Sequence, residues 1–335
     1  HGNGSEPQGI DPHIVTGVPE HHILISLCEG LTIPNPNPKG SDGYIPGTAE
    51  SWNISDDGKE YIFKLNKNAK WSNGDPVTAD DFVWSWRRIL TASLGSQYPD
   101  MLYYLVGAYE YHNGQIDNFD EVGVKAIDTH TLKVNLKNPT PFFIGLLSHY
   151  STWPVHKETV LKHGDIDDRN GEWTRPGNFV CNGPFQLKTW ELNNKIVVEK
   201  NPHYYDASMV RLNEIHYYPV SNVMTEDRMF RAGQLHLTSS MPTQKCPIYI
   251  EEKNPNLKID PYMGTYFYRI NTENETLSDV RVRKALAYSI DRQLLVDKVT
   301  QCGQIPAYSF TPPGSNGYQP STEIPYDPVL AKQLL

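Results

Sequence analysis

The most chemically suggestive run in the chain is Glu20-His21-His22, a carboxylate beside two imidazoles. Adjacent histidines do not share a helix face, so a solvated or capping role is expected of them rather than metal binding. Asp165-Ile166-Asp167-Asp168-Arg169-Asn170-Gly171 has the acidic crowding of a calcium loop. With Gly171 in that loop's glycine place, however, the first ligand would be Ile166, and the closing Glu is missing. Cys28, Cys181, Cys246 and Cys302 lie far apart and form no CxxC or Cys/His metal spacing. Three pairings are open to them, and most are expected to be small buried hydrophobes. There is no GxSxG, HExxH or P-loop run, and no strand precedes Gly2-Asn3-Gly4 to make a dinucleotide turn. These residues give no support to an enzyme, and no catalytic residue, no metal and no cofactor is expected.

Composition narrows the partner. The formal net charge is −9 over 335 residues, and no basic cluster exceeds the Arg87-Arg88 pair. Nucleic acid and anionic lipid are therefore not expected, since both are held through basic patches. No apolar run approaches the ~20 residues a membrane span needs. The start has neither a basic region nor an apolar stretch, so the expectation is that a signal peptide has been removed. Tyrosine outnumbers phenylalanine twofold, 20 to 10. A broad ring with a polar tip suits a wet, permissive binding surface, and equally a half-exposed strand.

The elements that would position such a surface mix strands with helices. Glu60–Leu65 alternates as a strand and is followed by turn chemistry at Asn73-Gly74. Thr78, with Asp81 three residues on, predicts a capped helix whose stripe is Phe82, Val83, Trp86, Ile89 and Leu90. Two strand-like runs around Asp128-Thr129-His130 predict a hairpin, and Asn194–Glu199 and Glu214–Tyr218 predict further strands. Pro34–Gly43 reads as a loop. A helix is expected from Asp279 to Val299, capped by Ser278 and closed by Gly303, with Val282, Leu286, Ile290 and Leu294 buried. At Asp327-Pro328 another helix opens with the stripe Ala331, Leu334 and Leu335, and its abrupt end suggests truncation. Without a regular βαβ rhythm, the class is α/β or α+β with mixed sheets.

Several stretches have a further specificity. They are Asn3-Gly4-Ser5-Glu6-Pro7-Gln8 with Asp11-Pro12-His13 and Gly17-Val18-Pro19-Glu20, then Glu29-Gly30-Leu31, then Pro46-Gly47-Thr48-Ala49-Glu50-Ser51-Trp52. The most distinctive is Asn68-Ala69-Lys70-Trp71-Ser72-Asn73-Gly74-Asp75-Pro76-Val77-Thr78-Ala79-Asp80-Asp81-Phe82. Asn182-Gly183-Pro184-Phe185, Asn201-Pro202-His203-Tyr204-Tyr205 and Asp279-Val280-Arg281-Val282-Arg283-Lys284-Ala285 follow. Together they resemble the peptide-binding branch of the solute-binding proteins, the extracytoplasmic receptors of oligopeptide and dipeptide ABC importers. The resemblance runs along essentially the whole chain. Most of these residues read as scaffold, with Trp52 and Trp71 as core anchors.

The resemblance implies an α/β fold of the periplasmic-binding-protein type II-like kind, two-lobed with an extra small domain and its second lobe incomplete. Residues 1–28 plus 157–263 would form the first lobe and 29–156 the extra domain. Residues 264–335 would start the second lobe, with Thr265–Asn271 as a crossing strand. Implied partners are short peptides and the membrane permease of an ABC importer. The implied location is periplasmic or extracytoplasmic, with or without a lipid anchor. By position, Thr16, Gly17 and Val18 match a loop that touches the ligand backbone in relatives, Tyr98 matches a cleft tyrosine, and Ser239 and Ser240 fall near another cleft segment. Thr16 departs from an acidic residue found in some relatives. Gly264 replaces a cysteine of a cleft disulfide, so that disulfide is not expected. The alternatives are the same fold binding nickel, haem or an oligosaccharide, and a peptide hydrolase.

Overall fold

The structure, a computed structural model, describes residues 1–37, 43–260, 262–314 and 317–335. The chain divides into two compact units, His1–Ser239 and Ser240–Leu335. Among the described residues no helix is long and apolar enough to cross a membrane.

The first unit begins with helix α1 (Val18–Leu27), followed by the short antiparallel strands β1 (Thr32–Pro34) and β2 (Tyr44–Pro46). The expected loop Pro34–Gly43 joins these strands, and its residues 38–42 lie outside the described residues. β3 (Ala49–Ile54) and β4 (Glu60–Leu65) come next, then helix α2 (Ala79–Leu90), then the hairpin β5 (Val124–Asp128) and β6 (Thr131–Asn135). The four strands form an antiparallel sheet in the order β3-β4-β6-β5. β4 buries Tyr61, Phe63 and Leu65 on one face, the period-2 pattern its sequence predicts. The stripe of α2 buries Phe82, Trp86, Ile89 and Leu90 in the same core. Asp81 accepts from the Thr78 backbone N–H at 2.7 Å and from its hydroxyl at 2.9 Å, so the predicted cap is formed. Trp71 is fully buried, and the chain returns past it through Gly74, whose φ of +95° is easy only for glycine.

A second core in this unit gathers Ile23, Leu24 and Leu27 of α1 with Trp153, Trp173, Phe185, Ile196 and Val198. Its sheet is β7 (Phe185–Glu191), β8 (Lys195–Lys200) and β9 (Glu214–Tyr217), antiparallel in that order. Cys28 and Cys181 are joined by a disulfide, as are Cys246 and Cys302 in the second unit. The expectation that most were simple buried hydrophobes is therefore corrected: spacing along the chain carries no information about which thiols meet in space.

The second unit differs most from its sequence reading. The expected helix from Asp279 to Val299 is broken into Val280–Tyr288, Arg292–Leu295 and a wide turn at Val296–Thr300. Asp279, not Ser278, caps the first piece by accepting from the Arg281 N–H at 2.8 Å. Asp291 caps the second by accepting from the Leu294 N–H at 2.9 Å. A short carboxylate inside a helical pattern offers the backbone a competing acceptor, which is enough to restart the helix. The expected buried face is also absent, with Leu286 and Leu294 exposed and Val282 and Ile290 half-buried. Thr265–Asn271 forms no strand, because the described residues offer it no ladder partner. The helix Pro328–Leu334 opens as expected, with the Asp327 carboxylate accepting from the Val329 and Leu330 N–H groups.

Candidate functional site

At the start of α1, Gly17 is the N-cap in extended conformation and Pro19 follows in the first turn. Thr16 and Val18 are exposed, Val18 by 62%. Glu20 folds back beneath this loop, buried, and accepts from the Gln8 N–H at 2.6 Å. A Cβ on residue 17 would lie 1.9 Å from the Glu20 Oε2, so any larger residue there would push the carboxylate away from the loop.

Tyr98 is half-buried and precedes a short 3-10 turn at Pro99–Leu102. Its ring stands edge-on to His149, with centroids 5.1 Å apart, and edge-on to Tyr150 at 6.3 Å. His149 lies 4.2 Å from Tyr150, and Tyr150 lies 5.7 Å from His21 on α1. Tyr98 and the Thr16–Val18 loop are thus linked through Tyr150 and His21, one turn along the helix from Val18.

Electrostatically the patch is neutral. Burial, reinforced by the nearby His21, lowers the His149 pKa to about 4 against the opposing pull of Asp100. Burial also lowers His21, and it raises Tyr150, helped by Tyr98 and the charge of Glu20. The Ser151 N–H donates to His149 Nδ1 at 3.3 Å, which leaves the ring proton of the neutral imidazole on Nε2. Tyr150 is itself buried in the second core, so what faces outward is the half-buried rings of Tyr98, His149 and His21, backed by Tyr150 and carrying neutral hydrogen-bonding groups. Sequence reasoning missed His149 and Tyr150 because nothing in their spacing sets them apart. The sequence reading gave His21 a solvated or capping role, whereas the structure packs its ring against Tyr150.

Ser239 is exposed, and both its N–H and its hydroxyl donate to the buried Glu226, at 2.9 and 3.2 Å. Gly2 and Gly4 pass against this pair, and between them Asn3 donates to the Pro19 carbonyl at 3.1 Å. Ser239 is thereby connected to the start of α1. Ser240 is exposed and opens the second unit. The Asp165–Gly171 loop spends its polar groups on a neighbouring segment. Asp167 accepts from Ser93, and Arg169 donates to the carbonyls of Leu94 and Gly95.

The distinctive sequence stretches converge elsewhere, in the interior. Glu29 is buried and accepts from Tyr204 at 2.5 Å, Tyr205 at 2.9 Å and Thr48 at 3.2 Å. The Asn182 side chain accepts from the Glu29 N–H and donates to the Glu29 carbonyl, directly beside the Cys28–Cys181 disulfide. A second buried group joins the two cores. Arg88 on α2 makes a two-pronged pair with Asp11, at 2.9 and 2.6 Å, and lies 3.0 Å from His13 Nδ1. Burial, then the Arg88 charge, lowers His13 to about 4, so a neutral ring accepts from the guanidinium. Asp11, His13, Glu29, Thr48, Arg88 and Asn182 are thus all buried, with their polar groups spent on one another.

The chain matches the family described as bacterial extracellular solute-binding proteins, family 5 Middle, over residues 43–335. It is 40% identical over 326 residues to the periplasmic oligopeptide-binding protein OppA of Salmonella typhimurium, covering 94% of this chain and 56% of the relative. The oligopeptide-binding protein OppA of Bacillus subtilis is 36% identical, with 95% of this chain and 57% of the relative covered. Among solved structures, Haemophilus influenzae OppA in complex with RPPGFSPFR superposes with a TM-score of 0.85 at 36% identity, covering 93% of this chain and 59% of that one. The Escherichia coli murein tripeptide binding protein MppA does so with 0.87 at 34% identity, covering 98% and 62%. The chain spans a little over half the length of the curated relatives it matches. Its α/β fold class is that of these neighbours. The chain belongs to the bacterial extracellular solute-binding proteins of family 5.

Proposed function

We propose that this chain carries part of an extracytoplasmic receptor that binds short peptides and delivers them to the membrane permease of an ABC importer. The observation that carries the reading is the neutral, half-buried patch of Tyr98, His149 and His21, packed on the buried Tyr150 beside the exposed Thr16–Val18 loop. An extended peptide presents the same row of N–H and C=O groups whatever its sequence. Exposed loop backbone can pair with that row, giving affinity without sequence preference. Neutral aromatic walls contact ligand side chains of either charge, and ordered waters absorb differences in size. The names of the relatives, oligopeptide-binding and murein tripeptide binding, support the same ligand class. Closure of two lobes on the peptide would present a new surface to the permease.

Within this reading, residues 1–28 plus 157–263 form the first lobe, 29–156 the extra domain and 264–335 part of the second lobe. The two separate cores of the first unit support the first part of that division. Thr16, Gly17, Val18, Tyr98, Ser239 and Ser240 are assigned to the ligand side, and the protein acts by binding rather than catalysis. It works outside the cytoplasm, with or without a lipid anchor. Native mass spectrometry of the purified protein tests the reading: co-purified peptides of two to five residues support it. A bound metal or intact sugar, or turnover of an added peptide mixture, would overturn it.

A further inference from the structure

We propose that Glu29 is a proton switch: proton uptake turns the Tyr205 hydroxyl from the Glu29 carboxylate to the Gly47 carbonyl, resetting a tie between the two cores of the first unit. The Tyr205 O–H has two acceptors in reach, Glu29 Oε1 at 2.9 Å and the Gly47 carbonyl at 3.1 Å. A phenol has one proton to donate, so it serves one acceptor at a time. With Glu29 ionised, the hydroxyls of Tyr204, Tyr205 and Thr48 all donate to the carboxylate. With a solvent proton on Oε1, the new carboxyl O–H donates to the Tyr205 oxygen. The Tyr205 proton then turns to Gly47, and Tyr204 goes on donating to Oε2. With Glu29 protonated both acceptors are served, whereas ionised Glu29 gathers all three hydroxyls and gives up the Tyr205 bond to the Gly47 carbonyl, so the two states trade one acceptor for the other.

The surroundings favour a switch at a useful pH. Burial, then the like charge of Asp206, pushes Glu29 up to about 7 against the three donating hydroxyls. Tyr204 and Tyr205, the other titratable groups in contact, are pushed upward by burial and by Glu29 itself, so both keep their protons. Thr48 and Asn182 are neutral and complete the shell. The backbone around the switch is pinned, since the Cys28–Cys181 disulfide and the paired Asn182 hold residue 29 in place. Movement is therefore channelled into Tyr205, which packs on the sheet core, and Gly47, which leads into β3.

The test is an NMR titration of the intact chain, carboxyl-labelled at glutamate and carbonyl-labelled at glycine, with the Gly47 carbonyl carbon as the second reporter because it accepts from Tyr205. Glu29 should titrate near pH 7, far above the ordinary 4.5, and the Gly47 carbonyl should follow the same midpoint. Tyr205→Phe removes one donor from the carboxylate, so the Glu29 midpoint should rise further while the Gly47 carbonyl loses its response. Glu29→Gln should abolish both signals; should that variant not fold, sequential assignment in the native chain identifies the carboxyl. A Glu29 midpoint near 4.5, or a Gly47 response unchanged in Tyr205→Phe, would overturn the proposal.

Discussion

Trp71, Trp86 and Phe63 in the first unit are fully buried, while Tyr262, Tyr266 and Tyr268 in the second are 87%, 88% and 75% exposed. The residue types are alike, and what differs is whether a second layer exists to receive them. In the first unit α2 lies over the sheet and α1 against β7. In the second, the buried apolar residues among those described are Cys246, Ala285 and Ala331. Periodicity tells which face of an element is apolar, but burial needs an opposing face as well.

The comparison is broken most forcefully at the joint between the first unit's two cores. Asp11→Ala leaves the Arg88 guanidinium buried without its partner and should cost about 3–5 kcal/mol of first-unit stability in a urea melt. A loss below about 1 kcal/mol would mean the joint holds without this pair. Acid probes the same group. His13 is held at about 4 against 6.5 for a free histidine, so below pH 6.5 the unfolded chain binds a proton that the folded chain refuses. Stability is fully present above pH 6.5 and falls by roughly 3 kcal/mol as pH drops to about 4. Glu29, raised instead of lowered, works with the opposite sign and loses stability as pH climbs from 4.5 to about 7. The two effects offset where their windows overlap, so each shows in the difference between native and His13→Gln or Glu29→Gln curves.

Smaller effects sharpen the contrast. Tyr98→Ala should weaken tripeptide binding by about 1–2 kcal/mol in a calorimetric titration, as for a lining aromatic. An unchanged affinity would reduce Tyr98 to packing. Leu286→Ala, which a buried helix face would make costly by about 2–5 kcal/mol, should here stay within about 0.5 kcal/mol. The exposed position of Leu286 is the reason, and a large loss would show that this face is covered in solution.

Local chemistry was legible in the sequence. The Thr78–Asp81 cap, the β5–β6 hairpin, the β4 alternation and the Asp327-Pro328 helix start all follow from residues within a few positions of one another. What was not legible depends on distance along the chain. Cys28 meets Cys181 across 153 residues, and Arg88 meets Asp11 across 77. The candidate site divides in the same way. Thr16–Val18 and Tyr98 came from the family resemblance, whereas His149 and Tyr150 become visible only once the fold sets them against Tyr98. The broken helix at Ser289–Asp291 shows the remaining weakness, because a capping carboxylate inside a good helical stripe reads equally well as surface.

The central claim is that the peptide lies against the start of α1 and the Tyr98 patch, away from the buried network formed by the distinctive sequence stretches. Photo-crosslinking tests it most directly, with a tripeptide carrying a benzophenone side chain and mass-spectrometric mapping of the labelled sites. The account predicts label on Thr16–Val18 and around Tyr98 and His149, competed away by unlabelled tripeptide. Label confined to the exposed aromatics at 262–268, or label that excess tripeptide does not displace, would contradict it.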